Sequence, residues 1–131
     1  MSYLNHRCTL KSATSPREGL FDFILHCPEI AKQATAGQFL QVKVPGFFLR
    51  RPISICEIFH EKGDLRMVFE VRGKGTECLC KFMPNMAIEI LGPLGNGFTL
   101  LGQDKKALIL GGGVGVPPLD VYKRQFTGTA A

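Results

Sequence analysis

The chain has 131 residues, 45% of them hydrophobic, which is enough apolar material for one packed domain and part of a second. Sixteen basic residues against eleven acidic ones give a formal net charge of +5, but they are scattered, and no basic helix with interleaved aromatics marks a nucleic-acid-binding protein. No apolar run approaches the roughly 20 residues of a membrane span, and the opening MSYLNHRCTL lacks the apolar core of a signal peptide, so the expected compartment is the cytoplasm.

In chain order, six short strands are expected. They are YLNHRCTL (residues 3–10), GLFDFILHC (19–27) after the turn-like TSPREG, GQFLQVKV (37–44), PISICEIF (52–59), DLRMVFEV (64–71) after the hairpin-like HEKGD, and MAIEILGP (86–93). In the third, Leu40, Val42 and Val44 share one face; in the fifth, Leu65, Met67, Phe69 and Val71 do; in the sixth, Met86, Ile88 and Ile90. Alternation at this spacing predicts an all-β, six-stranded antiparallel barrel or sandwich. One short helix interrupts it over GTECLCKFM (75–83), where Leu79, Phe82 and Met83 form the apolar stripe. Gly75 and Thr76 cap its start, and Pro84 ends it.

At Lys105 the pattern changes. Residues 107–110 read as a strand buried on both faces, as in a parallel sheet. Gly111, Gly112, Gly113 and Gly115 come next, a run that lets the backbone approach a ligand closely. The expected division is a barrel over 1–101, the first strand and glycine loop of an α/β nucleotide-binding domain over 104–119, and an anomalous tail over 120–131. That tail, DVYKRQFTGTAA, shows no sustained apolar face, and the natural sequence is expected to stop near Leu119.

The five cysteines, Cys8, Cys27, Cys56, Cys78 and Cys80, are odd in number and include no CxxC pair. They read as reduced structural residues, not as a disulfide framework, zinc site or iron–sulfur cluster. His6, His26 and His60 lack metal-ligand spacing, so no metal site is assigned. No nucleophile motif or paired carboxylate set appears, so no catalytic residue is assigned either.

The chemistry concentrates in LRRPISI (49–55). A guanidinium cannot discharge itself by losing a proton, so a half-buried Arg needs water or an anion. Pro52 holds Arg51 extended, and the fork of Arg51 suits a phosphate. Ser54 shares the Pro52 face of the strand, opposite Ile53 and Ile55. About twenty residues on, GKGT (73–76) opens the helix and offers backbone N–H groups. The third element, GPLGNGF (92–98), is a shaped loop expected to line the same pocket and to connect the barrel to the next domain. An exposed strand end, a plain helix cap and a plain linker are the bland alternatives for the three.

RRPISI, VRGKGTECL, GPLGNGF and GGGVGVPPL, in that order and spacing, resemble the electron-transfer subunits of bacterial dihydroorotate dehydrogenase, within the ferredoxin-reductase superfamily. EIAKQATAGQFLQV is similar to an early strand of that family, with Ala36 where a proline is usual. The resemblance covers roughly residues 4–119. It implies a six-stranded Greek-key barrel that binds FAD. Arg51, Pro52, Ile53 and Ser54 would form the first FAD segment, with Arg51 on the pyrophosphate, Ser54 on the flavin ring and Ile53 giving apolar packing where relatives carry an aromatic. Val68, Phe69 and Glu70 would form the second, although relatives often carry a basic residue at the Glu70 position. Gly75 and Thr76 would form the third. Gly111, Gly112, Gly113 and Gly115 would receive the phosphates of NAD.

The implied function is electron relay in pyrimidine biosynthesis. Electrons pass between NADH and FAD, then through a 2Fe–2S cluster, to or from FMN in a catalytic dihydroorotate dehydrogenase subunit. The cluster cysteines have no counterpart among the five here, and most of the nucleotide domain is not present in these residues, so this polypeptide is expected to bind FAD only weakly and not to relay electrons from NADH. The rival readings are the flavin subunit of a sulfhydrogenase or of an NADH-dependent ferredoxin:NADP reductase, and a non-catalytic barrel that binds a partner without flavin.

Overall fold

Side-chain alternation decides the architecture. In the computed structural model, which describes residues 5–102 and 104–127, alternating residues along the central part of the strands point into a common interior. The strands are β1 (Asn5–Arg17), β2 (Leu20–His26), β3 (Phe39–Val42), β4 (Arg51–Phe59), β5 (Asp64–Glu70) and β6 (Ala87–Leu94). They close as β1-β2-β5-β4-β3-β6, with β6 returning to β1 and every pairing antiparallel. Closure leaves no sheet edge to protect. Leu10, Phe23, Leu25, Leu40, Ile55, Leu65, Met67, Ile88 and Ile90 are fully buried inside. Each contributes roughly 1.5–3 kcal/mol by leaving water. The six-stranded antiparallel barrel expected from the sequence is the fold observed, and the barrel, not the sandwich, is the form it takes.

Several boundaries differ from expectation. Residues 14–17 continue β1 instead of turning. The pairing with β2 slips between Thr14 and Arg17, a bulge that accommodates Pro16, which has no N–H for the ladder. The Ser15 hydroxyl bonds the carbonyls of Arg17 and Leu20, and the reversal falls at Gly19, whose φ is +77°. Residues 3 and 4 of the first expected strand lie outside the described residues. In the fifth and sixth strands, Val71 and Met86 fall past the strand ends, and Met86 is exposed.

A second short helix, α1 (Pro28–Gln33), was not expected. Pro28 sits in its first turn with Glu29 beside it, a recognisable helix start. Ile30 and Ala31 seal one end of the barrel. The expected helix is α2 (Lys74–Leu79), shorter than the predicted 75–83. Its N-cap is Gly73, and Thr76 stands three residues inside, its hydroxyl accepting the Gly73 amide at 3.1 Å. It ends well before Pro84, in tightened bonds from the Lys81 amide to the Cys78 carbonyl and from the Phe82 amide to the Leu79 carbonyl. Leu79 is buried and Phe82 packs on the core, but Met83 faces solvent.

Residues 105–110 form no strand. Leu108 is 85% exposed and Leu110 79% exposed, the opposite of the expected two-sided burial. A parallel strand needs neighbours on both sides, and the described residues contain no second parallel strand. The glycine run leads through a 3-10 turn (Gly113–Gly115) into α3 (Val116–Thr127), which packs against β4. This helix spans the expected boundary near Leu119. Among the described residues no helix is long and apolar enough to cross a membrane.

Candidate functional site

The outer faces of β4 and β5 meet the start of α2 in an open pocket of about 320 Å³. Arg51, Pro52, Ile53, Ser54, Val68, Phe69, Glu70 and Thr76 line it, together with Arg72 and Val114. The expected first and second segments therefore lie side by side on adjacent strands, although some fifteen residues part them in sequence.

Strand alternation sorts their side chains. Ile53 is 6% exposed and belongs to the barrel core, as does Phe69, which meets Phe23 edge-on at 5.0 Å and stacks on Phe21 at 5.8 Å. Pro52 and Ser54 point outward. The apolar packing expected from Ile53 is thus directed inward, and Ile53 and Phe69 support the pocket from behind.

Arg50 and Arg51 separate completely. Arg50 reaches back to Asn5 Oδ1 at 3.1 Å. Arg51 opens β4 opposite Val42, and its Nη1 donates to the Leu49 carbonyl at 2.8 Å. Its Cζ lies 5.1 Å from the centroid of the Phe47 ring, a cation–π contact. The guanidinium also rests directly on Gly75. A Cβ built there would stand 2.5 Å from Nη2 and 2.6 Å from Cζ, so only glycine admits the contact. Among the described residues Arg51 has no carboxylate partner, whereas Arg17 and Arg72 pair with Glu70 and Arg66 pairs with Asp22 and Glu57.

Glu70 is the acidic member of the pocket. Arg72 donates to it at 2.6 Å and Arg17 at 3.1 Å, so two cations offset its charge. Thr76 Oγ1 accepts the amides of Arg72 at 2.8 Å and Gly73 at 3.1 Å, fixing the loop that carries Arg72. Sequence reasoning missed Phe47, Arg72 and Val114. The first two adjoin the motifs already singled out, in GFFLRR and VRGKGT. Val114 arrives from far along the chain, inside the run GGGVGVPPL, of which only the glycines were singled out.

Of the other expected elements, GPLGNGF lies apart from this pocket and contributes none of its lining, while the glycine run reaches it through Val114. Gly92 and Leu94 are part of β6, the Phe98 amide bonds the Ala36 carbonyl at 2.8 Å, and Gln38 Nε2 bonds the Gly95 carbonyl at 2.9 Å. The loop is tied down onto the turn before β3 instead. In the glycine run, Gly113 takes a φ of +57°, and the Gly115 amide is bonded to the Gly112 carbonyl at 3.1 Å. Gly111 is held close under Val116 and Leu119.

All five cysteines are free thiols. Burial pushes the Cys56 thiol up to about 11, keeping it protonated and inert at neutral pH. His26 pairs with Asp64 at 2.8 Å. His6, which shows no metal-ligand spacing in sequence, comes within 4.8 Å of both Cys27 and Glu29.

No protein-family model matches the chain. Among solved structures, an NADH-dependent reduced ferredoxin-NADP oxidoreductase superposes with a TM-score of 0.86 at 29% identity, over 94% of this chain and 45% of that one. Phthalate dioxygenase reductase superposes at 0.79 with 24% identity, over 95% and 40%. The fold is that of the ferredoxin-reductase-type FAD-binding barrel. Within that class the chain is a homologue of the electron-transfer subunits of dihydroorotate dehydrogenase B. It is 38% identical to that of Geobacillus kaustophilus over 126 residues and 40% identical to that of Streptococcus mutans over 127 residues. These alignments cover 92% and 94% of this chain, which spans about half the length of either relative (49%).

Proposed function

We propose that this chain is the flavin-binding part of an electron-transfer subunit, with FAD held against the outer faces of β4 and β5. The observation that carries the reading is Arg51. It is a guanidinium without an acidic partner among the described residues, immobilised by a carbonyl, an aromatic face and a glycine, at the mouth of a pocket built from two segments far apart in sequence. Such a fork is preorganised for a diphosphate, and little side-chain freedom is left to lose on binding.

The residues fit the group. Arg51 holds the diphosphate, with the first-turn backbone at Gly75 and Thr76 supplying N–H donors beside it. Ser54 offers its hydroxyl to a ring heteroatom, while Pro52 and Val68 present apolar surface to the ring system. Arg72, fixed by Glu70, brings a second positive charge to the same mouth. FAD, when bound, supplies the exchange between two-electron and one-electron transfer; the protein positions it and sets its electrostatic surroundings.

The barrel over 1–101 forms the FAD unit in this proposal, and residues 104–119 begin a nucleotide-binding unit in which Gly111, Gly112, Gly113 and Gly115 face the phosphates of NAD. The tail over 120–131 has no assigned part. The complete subunit works with a 2Fe–2S cluster and a catalytic, FMN-containing dihydroorotate dehydrogenase subunit in pyrimidine synthesis. The likeness to the ferredoxin-NADP oxidoreductase structure favours one second reading, a subunit serving ferredoxin and NADP instead.

Titration of the purified chain with FAD, monitored by flavin fluorescence and absorbance, tests the core of the proposal. Saturable binding is expected. Arg51→Ala removes charge-assisted hydrogen bonds worth about 1.5–3 kcal/mol, which is about 10- to 150-fold in Kd. A chain that stays colourless and shows no saturable response is the partner-binding barrel without flavin, and the proposal fails.

A further inference from the structure

The far side of the barrel brings together a second set of chemistry-bearing groups, none of which lines the Arg51 pocket. His6 lies in β1, on the same face as Cys8 two residues on. Cys27 comes directly after β2 and occupies the N-cap position of α1, yet its side chain makes no capping bond. Its Sγ instead lies 3.9 Å from Glu29 Oε2, in the first turn of the same helix. Ring nitrogen, sulfur and carboxylate oxygen of His6, Cys27 and Glu29 all fall within 4.8 Å of one another.

Two further observations set this group apart from a chance cluster. Among the described residues the His6 ring has no hydrogen-bond partner, and the Glu29 carboxylate has no Lys or Arg partner, so neither donor is engaged elsewhere. Their exposure is also graded. Cys27 is 1% exposed and fixed by the core, while His6 is half-buried and Glu29 is exposed. The two outer ligands can close onto a cation that enters from solvent.

We propose that His6, Cys27 and Glu29 form a site for a zinc-class divalent cation. One imidazole nitrogen, one thiolate and one carboxylate are the donor types such an ion takes, at about 2.0–2.3 Å each. Bonds of that length around a tetrahedral ion place donors roughly 3.5 Å apart, so side-chain rotation at His6 and Glu29 by about 1 Å completes the set. Solvent occupies the fourth position. Cys8, adjacent to the site in the core, acts as a positioning residue behind the Cys27 sulfur. The donor set excludes calcium and magnesium, which take oxygen ligands. The cation would pin the start of β1 to the start of α1.

Cobalt(II) added to the full chain with its thiols kept reduced tests this directly. The wild-type protein is expected to bind one equivalent and to show a thiolate-to-cobalt charge-transfer band, which one equivalent of zinc abolishes. Cys27→Ser removes the band. Glu29→Gln and His6→Asn, at positions outside the core, each weaken cobalt binding by about tenfold or more while the far-ultraviolet circular dichroism stays unchanged. Cys78→Ser with Cys80→Ser leaves the band intact. The absence of a band in the wild type, or a band that survives Cys27→Ser or disappears in the Cys78, Cys80 double variant, overturns the proposal. So does unchanged cobalt affinity in both Glu29→Gln and His6→Asn, which remains decisive should Cys27→Ser fail to fold.

Discussion

Two neighbouring arginines show how far identity alone leads and where position takes over. Nothing in the letters RR separates them, yet Arg50 turns to Asn5 and Arg51 settles on Gly75. The separation arises from position: Arg51 opens β4 and pairs with Val42, whereas Arg50 lies in the loop just before it. Gly75 is required because of what touches it, not because of its backbone angles. Gly75→Val would force the guanidinium off its seat, so FAD affinity is expected to fall about as far as in Arg51→Ala, with the melting temperature less affected; flavin titration alongside thermal unfolding checks both. A buried residue makes a separate prediction. Asp64 is 2% exposed, which by itself opposes its charge, but bonds from Lys11 at 2.6 Å and His26 at 2.8 Å outweigh that and hold its carboxyl below the usual range. A depressed carboxyl stabilises the fold above its unfolded pKa of about 3.9, and the contribution is lost as pH falls through the lower folded value. Asp64→Asn is therefore expected to cost about 1–3 kcal/mol at pH 7, and the gap to wild type to shrink below about pH 4 in denaturant unfolding series.

At the level of elements, alternation was the legible signal. Leu40, Val42 and Val44, and Leu65, Met67 and Phe69, are buried as their spacing predicts. Features set by contacts outside the segment were not legible. The slip at Thr14 and Arg17 depends on pairing with β2, so Pro16 looked like a turn residue. The short α1 was hidden in a stretch similar to a strand, although Pro28 and Glu29 mark its start. Residues 107–110 have the composition of a buried strand but no sheet to enter, since composition reports what a segment can bury and not whether a partner is present. Their amides are accordingly expected to exchange with solvent far faster than those of β5 in native-state hydrogen exchange; protection comparable to β5 would mean that a strand has formed.

For the whole molecule, barrel closure is what converts scattered motifs into a site. Arg51 and Val68 line one pocket only because β4 and β5 pair, and Arg51 meets Gly75 only because α2 comes directly after β5. The sequence motifs named most of the pocket in advance, Arg51 to Ser54, Val68 to Glu70 and Thr76 among them, but not the inward turn of Ile53 or the absence of GPLGNGF from the lining. Both depend on which face a strand presents and where a loop is anchored. The central claim is that the Arg51 guanidinium and the backbone opening α2 converge on one diphosphate. Comparing the affinities of the purified chain for FAD and for riboflavin, in wild type and Arg51→Ala, measures it most directly. The account predicts that wild type prefers FAD by at least about tenfold and that Arg51→Ala loses most of that preference while its riboflavin affinity is unchanged. Equal affinity of the wild type for the two flavins, or an FAD preference that survives Arg51→Ala, would contradict it.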